Sequence, residues 1–187
     1  NHGQEPFNDV TSFGFYDSTY KKTRYAVIQN PETAGAQGSI SLNMPVETNL
    51  SALVPQIKHL GQYVEIQNGD TWTRIEDGKA YDFSTPRKIR VRNDGFGGLT
   101  TEYLVTITAV QSKECQMLGF KIGHEEAQID QVTGKVTIRV PYATLLDQVT
   151  ADIETSEFAS VTVKPAKLEY NTELTYVVTA QDGSTKK

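Results

Sequence analysis

One pattern occurs twice in this chain at a fixed distance. "MPVETNLSALVPQI" runs from Met44 to Ile57, and "VPYATLLDQVTADI" from Val140 to Ile153. Pro45 recurs as Pro141, an offset of 96 positions; the same offset pairs Ile40 with Val136, Leu42 with Ile138, Met44 with Val140, Thr48 with Thr144, Leu50 with Leu146 and Ile57 with Ile153, without a gap. The match extends outward with small insertions. "SFGF" (12–15) answers "MLGF" (117–120), "AVIQN" (26–30) answers "AQIDQ" (127–131), and "YDFSTPRKIRVRNDG" (81–95) answers "LEYNTELTYVVTAQDG" (168–183). A 187-residue chain with this order in both halves is two copies of one folding unit, and each copy must bury an apolar face of its own.

The unit is all-β. "SISLNMP" (39–45) and "KVTIRVP" (135–141) alternate apolar and polar residues with a period of two, as half-buried strands do. "RKIRVRN" (87–93), "TEYLVTIT" (101–108) and "LTYVVTA" (174–180) follow the same rule, and turn signals such as Asn68-Gly69, Asp94-Gly95 and Asp182-Gly183 separate the strands. No window keeps a helical stripe. About seven short strands per copy describe two tandem immunoglobulin-like β-sandwich domains, without the Cys…Trp…Cys pin of antibody domains. The proline after each second strand lacks an N–H, so it ends the strand and turns the chain toward the other sheet, the next strand starting near Pro55 or Ala151.

The expected layout is a disordered or linker N-terminus at 1–8, a first sandwich at 9–110 with inserted hairpins, and a second sandwich at 111–187 entered through the polar "QSKE" (111–114). The second copy stops at "QDGSTKK", where the first continues into "GLTTEYLVTIT", so its last strand is expected to be missing. Ile40, Leu42, Met44, Leu50, Ile57, Ile89 and Val91 are the expected first core; Val136, Ile138, Val140, Leu146, Ile153, Tyr176 and Val178 are the second.

Charge and motif content exclude several functions. The net charge is −5 and the 18 basic residues are scattered, which argues against nucleic acid as a partner. No apolar run is long enough to span a membrane as a helix. The one cysteine, Cys115, permits neither an intrachain disulfide nor a Cys-based metal site, and reads as a small buried apolar residue. Of the three histidines, His2 lies in the N-terminal stretch, His59 on or just after a strand, and His124 in the turn "GHEE" (123–126), whose adjacent side chains do not converge on one ion. There is no H-E-x-x-H or G-x-S-x-G, and the carboxylate pairs sit in polar loops where nothing raises a pKa. No catalytic residue, metal site or cofactor is expected, and the chain does not read as an enzyme.

What remains is aromatic. Between "YVEIQ" and "AYDF" the first copy inserts "NGDTWTRIEDGK" (68–79), where the second has only "KPAK" (164–167). The insertion carries the single tryptophan, Trp72. Sugar recognition stacks an aromatic ring on the apolar face of a pyranose and bonds the hydroxyls with carboxylates, amides and arginine. Asn68, Asp70, Trp72 and Arg74 alternate on a hairpin and are expected to face one side. Trp72, Asp70, Arg74 and Tyr81 are therefore the candidate glycan-binding residues; the bland alternative is that Trp72 folds back over the sandwich edge. A second aromatic set, Tyr16, Tyr20 and Tyr25, lies in "FYDSTYKKTRY" (15–25), an insertion absent from the second copy.

The order F-x-F … A-x-I … an alternating strand ending in Pro … D-(F/Y) … D-G … Y-x-V resembles a repeated immunoglobulin-like domain of gut-bacterial surface lipoproteins of the polysaccharide-utilisation type. The resemblance covers residues 10–187. It implies a non-catalytic module exported to the bacterial cell surface and anchored at the outer membrane only through a lipid carried ahead of Asn1. The partners it implies are a polysaccharide and other cell-surface proteins. The alternative is a structural spacer or pilin-like assembly subunit with no small ligand.

Overall fold

The computed structural model describes residues 8–164, 168–170 and 173–187. Residues 1–7 of the expected disordered or linker N-terminus, and 165–167 of the short "KPAK" connection, lie outside the described residues. The chain divides into two compact units, Asn1–Val110 and Gln111–Lys187.

The first unit contains β1 (Val10–Asp17), β2 (Lys22–Tyr25), β3 (Val27–Gln29), β4 (Gly38–Pro45), β5 (Pro55–His59), β6 (Tyr63–Asn68), β7 (Thr71–Arg74), β8 (Arg87–Asn93) and β9 (Leu99–Val110). They form a three-stranded sheet, β2-β1-β5, and a six-stranded sheet, β3-β4-β9-β8-β6-β7. Val10, Phe13 and Phe15 from the small sheet join Ile40, Ile66, Ile89, Val91 and Val105 from the large one in a single buried cluster, so the unit is a β-sandwich. Phe13, Phe15 and Phe83 meet edge to face at its centre, with ring centroids 5.3–6.2 Å apart. Tyr103 on β9 is fully buried, and its hydroxyl accepts a hydrogen bond from the Val10 N–H (2.9 Å) and donates to Asn30, tying the two layers together. Gly38 lies opposite this ring; a Cβ there would stand 2.7 Å from the Tyr103 ring and 2.6 Å from the Gln29 carbonyl, so the strand needs glycine at that point.

The second unit contains β10 (Met117–Ile122), β11 (Glu125–Glu126), β12 (Gln128–Ile129), β13 (Val136–Thr137), β14 (Asp152–Thr155), β15 (Ser160–Lys164), β16 (Thr175–Thr179) and β17 (Thr185–Lys186). The sheets are β11-β10-β14, β12-β13 and β15-β16-β17. The repeat is visible in the register. Ile40 faces Ile28 where Val136 faces Ile129, and Phe13 faces Ile57 where Phe120 faces Ile153. Both copies carry the same irregularity one pair earlier, between Val10 and Ser12 and between Met117 and Gly119.

Three expectations are corrected. Sequence matching set Phe15 against Phe120, but the hydrogen bonds Ala26 N–H to Phe13 O and Ala127 N–H to Phe120 O, both 2.8 Å, show that Phe13 is the counterpart. A shift of two leaves every side chain on its expected face, which is why the alternation did not reveal it. In the second core only Val178 of the expected set is buried, while Val136, Ile138, Val140, Ile153 and Tyr176 pack against the cluster half-buried. Leu146 sits in a 3-10 turn, Leu146–Gln148, with no buried residue, instead of plugging the core. Cys115 is half-buried against that core, not enclosed in it.

Candidate functional site

The insertion folds as the hairpin β6–β7. Asn68 pairs with Thr71 across the two-residue turn Gly69-Asp70, and Gly69 takes a φ of +61°, the sign that a turn with glycine at its first central position requires. Pairing then sets the faces. Ile66 and Thr73 lie opposite one another, as do Gln67 and Trp72, and Glu65 and Arg74. Ile66 and Val64 face the core, so Tyr63, Glu65, Gln67, Trp72 and Arg74 lie on the open face of the large sheet. Asn68 does not join them. The turn reverses the chain after one residue on each side, so Asn68 shares the face of Thr71 and Thr73, donates to Thr73 Oγ1 (3.3 Å) and accepts from Arg87. Asp70 is exposed in the turn itself.

On the open face aromatic rings and guanidinium groups interleave. The Arg74 guanidinium carbon lies 3.8 Å from the Tyr63 ring centroid, and that of Arg90 lies 4.1 Å from the Trp72 ring. Arg90 Nε donates to Glu65 Oε1 at 2.9 Å. Arg92 reaches Asp94 Oδ1 at 3.3 Å, and the Tyr63 hydroxyl donates to Asp94 Oδ2 at 2.9 Å. Each stack contributes about 0.5–1 kcal/mol at a surface, so the network orders the face more than it stabilises the unit. Burial works to lower the pKa of Arg92, but its hydrogen bond to Asp94, with the charges of Tyr63, Asp94 and Glu65 around it, raises the pKa further above its ordinary value.

Beside the Arg74–Tyr63 stack is a cleft of about 310 Å³ lined by Ile57, His59, Gln62, Arg74 and Asp77 among others. Burial lowers the His59 pKa, and the Gly61 backbone offsets part of that shift. Tyr81 stands apart from the open face. It bridges to Leu53, packs against the core, and its hydroxyl accepts from the Glu76 N–H (2.8 Å). Of the four residues read from the sequence, the structure thus brings Trp72 and Arg74 onto one face, sets Asp70 at its rim and separates Tyr81. Sequence reading missed Tyr63, Glu65, Arg90 and Arg92. The signal was present, since in "YVEIQ" and "RKIRVRN" these residues alternate with the buried Val64, Ile66, Ile89 and Val91.

The second aromatic set forms an ordered hairpin. Asp17 accepts from the N–H groups of Thr19 (3.0 Å) and Tyr20 (3.2 Å) and from Arg24 Nε (2.9 Å), which fixes the turn between β1 and β2. Tyr16 and Tyr25 lie on the outer face of the small sheet, 55% and 63% exposed. Among the described residues no three His, Cys, Asp or Glu side chains are grouped to hold a metal ion, and no helix is long and apolar enough to cross a membrane.

Residues 117–187, nearly the whole second unit, match the family model described as "SGBP, N-terminal". No curated protein matches the chain. Among solved structures, a candidate glycoside hydrolase of Bacteroides thetaiotaomicron aligns over 73% of this chain and 35% of its own length, with 17% identity and a TM-score of 0.35. A candidate secreted protein of Bacteroides fragilis aligns over 56% of this chain and 96% of its own, with 16% identity and a TM-score of 0.32.

Proposed function

We propose that the chain is a non-catalytic glycan-binding module of an exported bacterial surface protein, built as two tandem immunoglobulin-like sandwiches. The observation that carries this reading is the family match of the second unit. The fold is consistent with it: two all-β units with a shared register, the first bearing an added hairpin that sets Trp72 and Arg74 on an open sheet face with Asp70 at the rim. Tyr81 serves this site by bracing the loop after β7, through Glu76. Attachment to the outer membrane through a lipid belongs to the same proposal. Stacking one sugar ring gives on the order of 1–2 kcal/mol by analogy with base–aromatic stacking. A single site is then weak, and retention depends on several modules on one surface. A polysaccharide panel, read by affinity electrophoresis and calorimetry, tests the reading on the wild type and Trp72→Ala. Binding by the wild type, weakened in the variant, is expected. If no polysaccharide binds, the glycan reading is wrong.

The alternative is a spacer or assembly module without a small ligand. Light scattering over a concentration series tests it: concentration-dependent self-association favours assembly, and a monomer throughout rejects self-assembly.

A further inference from the structure

We infer that the Arg74–Tyr63 stack is a seat for an acidic sugar, either a uronate carboxylate or a sulfate ester carried on a polysaccharide. The inference rests on the glycan-binding reading and narrows it to a charge class.

A guanidinium stacked on a ring uses its face, and its N–H groups stay in its own plane, free to form the forked hydrogen bonds that carboxylates and sulfates accept. Arg74 is stacked at 3.8 Å, is exposed, and has no carboxylate partner among the described residues. Arg90 and Arg92 differ in this respect, being engaged by Glu65 and Asp94. The ring beneath Arg74 is itself held. Tyr63 donates to Asp94, which is also bonded by Arg92, and the Asp94 N–H donates to Gln62 Oε1 at 2.8 Å. A donor group fixed before the ligand arrives loses less freedom on binding.

A neutral pyranose needs a bare aromatic face, and a guanidinium already covers one face of each ring, Arg74 over Tyr63 and Arg90 over Trp72. Stacking of a neutral sugar is confined to the faces left over, whereas an anionic sugar also binds at the edge of the Arg74–Tyr63 stack as it stands. Arg74 borders a cleft of about 310 Å³, near the lower end of the range of about 300–1,000 Å³ usual for ligand sites. Asp77 also lines the cleft and opposes an anion there, but it forms no ion pair with Arg74. Register places Arg74, Lys88, Arg90 and Arg92 on the open face with Glu65 and Glu102, and Asp94 follows at the end of β8, so the face is close to neutral on a chain of net charge −5.

The test compares four polymers on the 187-residue chain: polygalacturonate for carboxylate, dextran sulfate for sulfate ester, and dextran and starch as neutral controls. Wild type, Arg74→Gln, Arg74→Lys and Trp72→Ala are run together, with circular dichroism to confirm folding. Expected is preferential binding of at least one acidic polymer, weakened about tenfold in Arg74→Gln, the loss that removing a charged hydrogen-bonding group brings. Arg74→Lys should retain only part of the affinity, because the ammonium keeps the charge and loses the fork. Binding should also weaken between about 0.05 and 0.5 M salt. Equal binding of neutral and acidic polymers, or an Arg74→Gln variant that binds acidic polymers as the wild type does, overturns the charge class and leaves the glycan reading standing. A wild type that binds none of the polymers overturns both.

Discussion

In the first unit β4 has β9 beside it along its whole length, from Gly38 opposite Tyr103 to Pro45 opposite Val110; in the second, β13 has only β12 among the described residues. The two strands share their alternation, yet their burial differs. Ile40 is fully enclosed and Met44 is 2% exposed, while their counterparts Val136 and Val140 are half-buried. β17, the counterpart of the start of β9, pairs Thr185 with Thr179 and Lys186 with Val178. Alternation selects a face, and a neighbouring strand is what closes the core over it. Hydrophobic stabilisation follows the area removed from water, about 25 cal/mol per Å², so the same residue types at equivalent positions contribute less in the second unit.

The comparison breaks most readily at the equivalent phenylalanines. Phe13→Ala should destabilise the first unit by about 3–5 kcal/mol, since its side chain is wholly buried among Phe15 and Phe83. Phe120→Ala should cost the second unit less, because among the described residues its buried cluster adds only Met117, Ile122 and Val178. Urea unfolding followed by residue-resolved hydrogen exchange reports on each unit separately. Equal costs would mean that the two cores are equally tight. Next in size, Ile40→Ala should cost about 2–5 kcal/mol and Val136→Ala about 1 kcal/mol or less, the latter removing fewer atoms from a half-buried position. Leu146→Ala should cost about 1 kcal/mol or less, far below what a core plug would require; a loss of 2 kcal/mol or more would show that the residue is enclosed after all.

These contrasts mark how far the sequence could be read. Strand positions, the offset between copies and the β6–β7 hairpin were legible because each rests on local alternation and turn chemistry, as at Asn68-Gly69. The degree of burial in the second unit was not, because half-buried and buried strands share one pattern. The candidate site was half legible. Trp72 stood out by composition, but its partner Arg90 lies on β8, and β6 stands between their strands in the sheet. Only the pairing of Glu65 with Arg90 on one side and Arg74 on the other brings these groups together. Asn68 was assigned to the wrong face because period-two counting was carried through a turn that resets it.

The smallest effect separates the units by acid. Burial holds the His59 pKa below the ordinary histidine value of 6.5, while the unfolded chain keeps that ordinary value. Below pH 6.5 the unfolded state therefore binds more protons than the folded one, and stability must fall as the pH falls. Above it both states are neutral at this position, and the stability is present in full. The carboxylates of Asp82, Asp130 and Asp182 accept hydrogen bonds from residues two or three positions on, which hold them below their ordinary 3.8, so they do not titrate in this range. Lowering the pH from about 7.5 to about 5.5 should thus reduce the protection of the most protected first-unit amides, read as exchange rates divided by the intrinsic rate at each pH, and His59→Gln should flatten that dependence. A slope unchanged in His59→Gln would assign the acid sensitivity to another group and remove this distinction between the units.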